Sequence, residues 1–364
     1  MHIDPMVTLA GFIVGIVVGM TGMGGGALMT PILVLLFGVQ PLTAVSSDLV
    51  ASFIMKPIGA GVHLRRGTVR WELVRWLAIT SVPFAFAGVF VLRAFGDADV
   101  LQGRVKIALG IALLMAAALI FVRAGLQRHQ AAKRAAAGLG DPPGGAPIKV
   151  RPIPTLLIGA VGGLVVGMTS VGSGSLIIVA LMMLYPTLVG RELVGTDLVQ
   201  AVPLVAAAAL GHVLYGDFAL GLTVSLLVGC LPGVYIGARM SAKAPDGVVR
   251  PVLAFVLLAS ALKLVNVSTP ALGWTLLVVA LVGLPLWGVV DALGWKKEHW
   301  ARAGHDRRTW VQLQGLGAPF VVGTGAAIAY FTRTRPRLVA AAAAGRVVHV
   351  PEIAPSTPDA PAAI

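Results

Sequence analysis

The stretch Gly19–Pro31 reads GMTGMGGGALMTP, a glycine-rich run without charge inside the first apolar segment of the chain. A similar stretch, GMTSVGSGSLIIV, begins at Gly167, 148 residues later. Three structures would explain a glycine run in this place: a phosphate-binding loop, the end of a signal peptide, or a helix broken inside a membrane. The rest of the sequence decides between them.

The amino-acid composition places the chain in a membrane. Of its 364 residues, 57% are hydrophobic and only 12% are charged, and the mean hydropathy is +0.90. A soluble domain uses roughly a quarter charged residues, so much of this exterior must face lipid. Apolar runs of spanning length recur along the chain. Because they are continuous rather than alternating, they predict an all-α polytopic membrane protein rather than a β-barrel.

The net charge of +13 does not indicate a nucleic-acid partner, because the Lys and Arg residues lie in short loops between apolar segments. That distribution is typical of the positive-inside rule of membrane proteins. Cys230, the single cysteine, lies in an apolar run, so we expect no disulfide framework and no cysteine metal site. Residues 1–9 contain no Lys or Arg, which argues against a cleavable signal peptide.

The apolar blocks divide the chain into five regions. Four blocks form a first membrane repeat in residues 1–123, and a basic, Pro/Gly-rich cytoplasmic linker is expected at 124–152. Four further blocks form a second repeat at 153–266. Additional transmembrane helices are expected in 267–331, with a ninth apolar block at 272–293 and a tenth at 315–331, and a disordered tail is expected at 332–364.

Matched residues indicate that the two repeats arose by duplication. SDLV at Ser47–Val50 corresponds to TDLV at Thr196–Val199, and His63 corresponds to His212, in both cases 149 residues later. Internal repeats are typical of secondary transporters, whose sites lie where the two halves meet. The alternative is chance similarity between glycine-rich helices, and the shared Asp and His argue against it.

Segment lengths favour a re-entrant hairpin at each glycine break. The first block, Val7–Gly38, would be about 48 Å long as one helix, whereas the apolar core of a bilayer is about 30 Å thick. Each half of the block is too short to cross alone. With hairpins at both breaks, Lys and Arg also concentrate on one side. Each repeat then makes three full crossings, so the second repeat would be inverted relative to the first.

The two breaks are the predicted anion site. No Lys-Ser/Thr pair follows the glycines and no strand precedes them, which disfavours a nucleotide loop. A helix that restarts at mid-membrane aims free N–H groups and its positive dipole end at the cavity, which suits an anion. Close packing of small residues is the alternative. The predicted ligands are Thr21, Gly22, Gly24, Gly25, Gly26, Thr169, Ser170, Gly172, Ser173 and Gly174.

Two aspartates lie at matched positions inside apolar blocks, Asp48 and Asp197. An aspartate at the centre of a membrane helix costs about 2.5–3.5 kcal/mol on insertion scales, so a matched pair suggests a use. The two carboxylates can carry a coupling proton, bind sodium together with nearby hydroxyls, or hold the glycine loops by accepting their N–H groups. An ionised carboxylate would repel an anion, which disfavours direct contact with an anionic substrate.

The remaining ionisable residues in the apolar blocks are less specific. Lys56 lies two turns after Asp48 on about the same face of the helix. It can serve as a counter-ion or as an anion ligand, and the corresponding residue in the second repeat is Val205. His63 and His212 end their helices, where they can titrate or be simple interfacial residues. No metal-ligand spacing and no catalytic set stands out. We expect no enzyme activity and no cofactor beyond possible coupling to H⁺ or Na⁺.

Taken together, these motifs resemble the sulfite exporter TauE/SafE family, also called the toluene sulfonate uptake permease family. The similar segments are the two breaks, SSDLV and VGTDLV, the turns HLRRGTV and HVLYGDF, and LPGVYIGARMSAKAP. The resemblance covers roughly residues 7–266, both halves. It implies a multi-pass transporter of the bacterial inner membrane for sulfite, sulfonates or related sulfur-containing anions, generally in the export direction.

The chain departs from the family pattern in three places. Many members carry GxGGG in both halves, whereas the second copy here is SVGSGS, and many have Ser or Asn in place of the two aspartates. The segments beyond Lys263, with Trp274, Trp287 and Trp295, are additions. We therefore expect a secondary transporter of a small sulfur oxyanion. The alternatives are a proton- or sodium-coupled carrier or importer of another small anion, or a channel-like pore, and an integral-membrane enzyme is disfavoured.

Overall fold

The computed structural model describes residues 4–21, 25–94, 98–136, 148–240, 246–278, 283–295, 297–315 and 321–344. Every regular element within these ranges is helical. The chain divides into two compact units, Met1–Leu277 and Val278–Ile364. The larger unit contains both glycine breaks.

Five helices form the first half of the larger unit. They are α1 (Pro5–Thr21), α2 (Gly26–Leu35), α3 (Pro41–Arg65), α4 (Trp71–Arg93) and α5 (Ala98–Ala136). Proline stands at the first position of α3, where its fixed φ suits a helix start. The last 13 residues of α5, 124–136, are rich in Ala, Gln, Lys and Arg, which favour helix. The predicted linker at 124–152 therefore begins as helix, its role as a linker stays a prediction, and residues 137–147 lie outside the described residues.

The second half repeats this order of elements. Its helices are α6 (Pro152–Thr169), α7 (Leu176–Leu184), α8 (Gly190–Tyr215), α9 (Leu220–Met240) and α10 (Asp246–Leu264), and α11 (Thr269–Val278) follows. In each half, a long helix is followed by a short one and then by three long ones. The interruption between the first two helices falls on the glycine motif in both halves.

The helices of the larger unit are apolar outward and enclose an apolar core that also contains polar side chains. Five of the described helical segments are long and apolar enough to cross a membrane: 71–93, 100–127, 152–169, 190–215 and 220–237. Their outer faces carry large apolar side chains such as Ile79 and Leu157, which are 60% and 61% exposed. Serine, threonine and aspartate side chains are buried between the helices. The prediction of an all-α polytopic membrane protein is confirmed.

Glycine stripes bring the first helix of each half against the fourth helix of the other half. Helix α1 runs parallel to α9, and a Cβ added to Gly229 would overlap the backbone of Thr8. Helix α6 runs parallel to α4 in the same way, and a Cβ on Gly163 would overlap the backbone of Ser81. Such close backbone approach is what small-residue stripes in membrane helices permit. The two halves therefore interlock.

Corresponding helices of the two halves run in opposite directions. The start of α3 contacts the end of α8, where Ser46 bonds to His212, and the end of α3 lies beside the start of α8, where Gly195 adjoins His63. Helices α5 and α10 also pack antiparallel, with Gly110 beside Ala261. Inverted repeats require this arrangement. The inverted orientation across a bilayer stays a prediction, which the antiparallel packing supports.

The smaller unit contains short helices around a buried aspartate. Its elements are α12 (Leu284–Leu293), α13 (Lys297–Arg302), α14 (Arg307–Gly315), α15 (Val321–Ala329), a π-helical turn (Tyr330–Thr334) and α16 (Arg335–Ala344). The Asp291 carboxylate accepts hydrogen bonds from the Tyr330 hydroxyl at 2.8 Å and from Arg335 Nε at 3.1 Å. The predicted disordered tail is thus helical over residues 332–344, and residues 345–364 lie outside the described residues.

The predicted membrane crossings at 272–293 and 315–331 stay predictions. Helix α11 ends at Val278 and α12 begins at Leu284, with residues 279–282 outside the described ranges. Helix α15 covers only nine residues, and residues 316–320 before it are likewise not described. None of the described helices in these two segments has spanning length by itself.

Candidate functional site: the paired helix breaks

The second break is a compact turn between α6 and α7. Ser170 follows α6 with a left-handed φ of 59°, and Gly172 and Gly174 adopt φ values of 121° and 95°. Only glycine takes such φ values readily, so the glycines let the chain turn here without leaving the protein interior. The helix restarts at Leu176, whose N–H donates to the Gly172 carbonyl at 2.9 Å. All residues from 170 to 175 are buried.

The first break meets the second one. Helix α1 ends at Thr21 and α2 begins at Gly26, and a Cβ on Gly26 would overlap the backbone carbonyl of Ser170. The expectation that the two breaks face each other agrees with this contact. Of the predicted ligands here, Gly25 and Gly26 are described, Gly22 and Gly24 lie outside the described residues, and the side chain of Thr21 is not described.

Asp48 forms hydrogen bonds to the second break and to α2, the helix that follows the first break. Its Oδ2 accepts a hydrogen bond from Ser170 Oγ of the second break at 2.5 Å and another from Thr30 Oγ1 of α2 at 3.3 Å. The aspartate is 0% exposed. Its other oxygen, Oδ1, has no hydrogen-bond partner among the described residues. A Cβ on Gly25 would lie 3.7 Å from that oxygen, so Oδ1 faces the first break.

Lys56 reaches from α3 into the second break. Its Nζ donates to Ser173 Oγ at 2.5 Å, and the residue is only 8% exposed. It interacts electrostatically with both Asp48 and Asp197. A lysine at this depth requires such partners, because an uncompensated charge in a membrane protein interior is costly.

Asp197 holds the second break from the other side. The backbone N–H of Gly174 donates a hydrogen bond to the Asp197 carboxylate. Besides Lys56, the guanidinium of Arg123 on α5 is a second cation that interacts electrostatically with Asp197. The aspartate is 2% exposed, and its Oδ1 has no hydrogen-bond partner in the part of the chain that is described. The bond from Gly174 is of the kind expected if the aspartates hold the breaks by accepting their N–H groups, a role that stays a prediction.

Two predicted site residues have structural partners of their own. The Thr169 hydroxyl donates to the Val165 carbonyl at 2.6 Å, within its own helix. His212 is fully buried, with Nε2 at 2.7 Å from the Gly167 carbonyl and Nδ1 at 2.8 Å from Ser46 Oγ. Because a carbonyl can only accept a hydrogen bond, Nε2 carries the proton. It thereby satisfies a carbonyl in the last turn of α6, where carbonyl groups have no partner within the helix.

His63 stands apart from the charged cluster. The residue is half-exposed at the end of α3, and its Nδ1 lies 2.9 Å from Thr68 Oγ1 in the following loop. Its surroundings fit the interfacial interpretation. The structure thus brings together Gly25, Gly26, Ser170, Ser173, Gly174, Asp48, Lys56 and Asp197, and it places His63 elsewhere.

Sequence reasoning missed two members of the cluster. Thr30 lies one turn after Gly26 within the quoted stretch, a spacing that points both residues to one face of α2. Arg123 ends an apolar block and resembles a loop cation in the sequence. Only its electrostatic interaction with Asp197 in the folded chain, in which α5 packs against α7, shows that it belongs to the cluster.

The chemistry of the cluster suits a small charged solute. Lys56, the hydroxyl of Ser173 and the N-terminal end of α7 offer hydrogen-bond donors to an anion, while two carboxylates stand beside them. Among the described residues, no three His, Cys, Asp or Glu side chains group as metal ligands. Helices that are apolar outside and enclose buried charges at paired breaks define a membrane transport protein.

Comparison with known proteins establishes the family. The family model described as sulfite exporter TauE/SafE matches residues 7–264, so the chain belongs to this family and is a membrane transporter rather than an enzyme. No solved structure matches the chain.

The curated relatives are all named as transporters. The probable membrane transporter protein YjnA of Bacillus subtilis is 37% identical over 260 residues, which is 71% of this chain and 98% of that protein. YdhB of Bacillus subtilis, also named a probable membrane transporter protein, is 26% identical over 252 residues, 67% of this chain and 93% of the relative. Both matches cover nearly the whole length of the relative.

Proposed function

We propose that the chain is a secondary transporter that exports small sulfur-containing oxyanions, sulfite or organosulfonates, across the bacterial inner membrane. The observation that carries this proposal is the buried meeting of the two helix breaks around Lys56 and Ser173. The family to which the chain belongs is that of the sulfite exporter TauE/SafE, which supports the substrate class.

The anion would bind on the lysine side of the cluster. The Lys56 ammonium is a buried positive charge, and Ser173 presents its hydroxyl to the same point at 2.5 Å. Helix α7 begins three residues later, so the positive end of its dipole is directed at the same place. Sulfite and sulfonate groups carry three acceptor oxygens, which match such a set of donors.

Asp48 and Asp197 limit where the anion can sit. A carboxylate next to an oxyanion is repulsive, so the substrate occupies the space around Lys56 and Ser173 rather than the space between the aspartates. The aspartates fix the breaks or couple transport to H⁺ or Na⁺. A coupled importer of another small anion uses the same geometry and is the second candidate.

Uptake into liposomes tests the function directly. Purified protein is reconstituted, and radiolabelled sulfite is compared with sulfate, thiosulfate and taurine, with and without a proton gradient. Saturable transport that prefers sulfite or taurine supports the proposal. Preference for sulfate, or no transport of any of the four, contradicts the substrate class. Flux far above carrier rates without any gradient dependence identifies a pore instead.

Bulky substitutions test whether both breaks form the site. Gly25→Leu and Ser173→Leu fill the two breaks, and each should lower transport by tenfold or more, about the effect of losing a hydrogen bond to a charged group. Gly61→Leu is the matched control, because Gly61 lies on α3 with open space around it. Normal transport by both break variants, with the protein folded, would rule out the paired-break site.

A further inference from the structure

Four ionisable side chains from three helices, three of them buried and Arg123 half-buried, form a cluster whose formal charges cancel. Asp48 and Lys56 come from α3, Asp197 from α8 and Arg123 from α5. Lys56 interacts with both aspartates, so one ammonium compensates two carboxylates. Its position in the other half is occupied by Val205, and the cluster is therefore asymmetric although the fold repeats.

The two aspartates differ in the cations and hydrogen-bond donors that would still surround them if Lys56 were engaged elsewhere. Asp197 keeps Arg123 as a second cation, together with the N–H of Gly174. Asp48 has no second cation in its described surroundings, and its hydrogen-bond donors are the neutral hydroxyls of Thr30 and Ser170.

Among the described residues, the Cys230 thiol of α9 is also within electrostatic range of Asp48, and it is a neutral group that donates a hydrogen bond to the Gly11 carbonyl at 3.2 Å. Asp48 therefore depends on Lys56 for its compensating charge.

An anion that binds Lys56 takes this compensation away. The incoming negative charge pairs with the ammonium, and the buried carboxylate of Asp48 then has only neutral partners. Keeping an ionised carboxylate buried without a compensating charge is strongly unfavourable, whereas a hydrogen-bonded neutral carboxylic acid does not carry this cost. The bound anion and an ionised Asp48 therefore exclude each other.

We propose that the anion is carried together with a proton, which Asp48 takes up when the anion engages Lys56. This inference rests on the proposed function and adds its coupling ion. The proton moves in the same direction as the anion, so export is driven by the outward anion gradient, and the same step run inward would be driven by the proton gradient. The proton comes from the aqueous side that is open to the site, and the step is the conversion of a carboxylate and H⁺ into a carboxylic acid, with no electron transfer. Release of the anion restores the electrostatic compensation of Asp48 by Lys56, and Asp48 then loses the proton.

The geometry of Asp48 allows the proton to bind without opening the breaks. Oδ1 faces Gly25 and has no partner among the described residues, so it is the oxygen that accepts the proton. Oδ2 continues to accept the hydroxyls of Ser170 and Thr30. Protonation thus changes the charge of the cluster and leaves the fastening between the two breaks in place.

Calorimetry with the purified protein tests the proposal. Sulfite is titrated into the protein in two buffers that differ in ionisation enthalpy, and the difference in heat gives the number of protons taken up. The same measurement on Asp48→Asn removes the contribution of sulfite itself, which is common to both proteins. We expect about one proton per bound anion more for the wild type than for the variant. Asn retains an acceptor oxygen for both hydroxyls, so the variant should fold, and its thermal unfolding is measured alongside.

A control and a transport measurement complete the test. Asp217→Asn changes an exposed carboxylate in the loop after α8 and should leave the proton count unchanged. In liposomes, Asp48→Asn should lose the dependence of sulfite flux on a proton gradient, and Asp48→Glu should keep it. Equal proton counts in wild type and Asp48→Asn, or a sodium requirement in place of the proton requirement, would overturn the inference while leaving the transporter intact. Folded wild-type protein that binds no sulfite would instead overturn the proposed function.

Discussion

His63 and His212 occupy corresponding places on two antiparallel helices, each near the end of its own helix and beside the second turn of the other. His63 adjoins Gly195 of α8, and His212 bonds to Ser46 of α3. The environments nevertheless differ. His212 is 0% exposed and has a partner for each ring nitrogen, whereas His63 is half-exposed at the surface.

Replacing these two histidines should therefore have unequal effects. His212→Ala removes two buried hydrogen bonds and leaves the Gly167 carbonyl unpaired, each lost partner costing about 1–3 kcal/mol. His63→Ala should change the free energy of unfolding by less than about 1 kcal/mol. Unfolding of both variants by denaturant titration in detergent measures the difference, and equal destabilisation would contradict it.

Ser170 combines an unfavourable backbone conformation with a useful hydroxyl. Ser170→Ala and Ser170→Gly both lose the hydrogen bond to Asp48, but only glycine relaxes the φ of 59°. The Gly variant should be more stable than the Ala variant by about 1 kcal/mol. Thermal unfolding in one detergent compares them. If Ala proves the more stable of the two, backbone strain at this position is not the deciding term.

The glycine stripe between α1 and α9 predicts a sharp dependence on position. Gly229→Ala would place a methyl group into the backbone of Thr8 and force the helices apart, which we expect to cost about 1–3 kcal/mol. Gly125→Ala on α5 is the matched control, since nothing lies within 4 Å of its added Cβ, and it should stabilise the helix by up to about 1 kcal/mol. The free energies of unfolding of the two variants should therefore change in opposite directions.

Inverted repeats predict that corresponding loops face opposite sides of the membrane. The loop after α3 is labelled through Arg66→Cys and the loop after α8 through Asp217→Cys, both exposed positions, in a Cys230→Ala background. An impermeant thiol reagent added to oriented vesicles should react with only one of the two from outside. Reaction of both from the same side would refute the inversion.

The sequence predicts the membrane class and the place of the breaks because both depend on local composition. Long apolar runs define helices of spanning length, and the glycine motifs mark where α1 and α6 end. The repeated Asp positions also identify Asp48 and Asp197 as buried residues. These inferences need only hydrophobicity, helix length and the conformational freedom of glycine.

The rest depends on packing between distant segments. Arg123 reaches the surroundings of Asp197 only because α5 lies beside α7, and the Asp48 bond to Ser170 joins residues 122 positions apart. The helical extension of α5 and the helix at 335–344 escaped prediction for a simpler reason. Charged and alanine-rich sequence can be linker or helix, and composition alone does not separate them.

The interlocked glycine stripes govern how the protein can be made. Helix α1 finds its partner on α9, so residues 5–21 leave the ribosome long before residues 220–240 exist to receive them. During that interval the stripe on α1 faces lipid without its mate, and the first half alone lacks a surface for its own opening helix. Assembly is consequently completed only when the second half has been synthesised, and a chain truncated after α5 lacks part of its architecture rather than forming half a transporter.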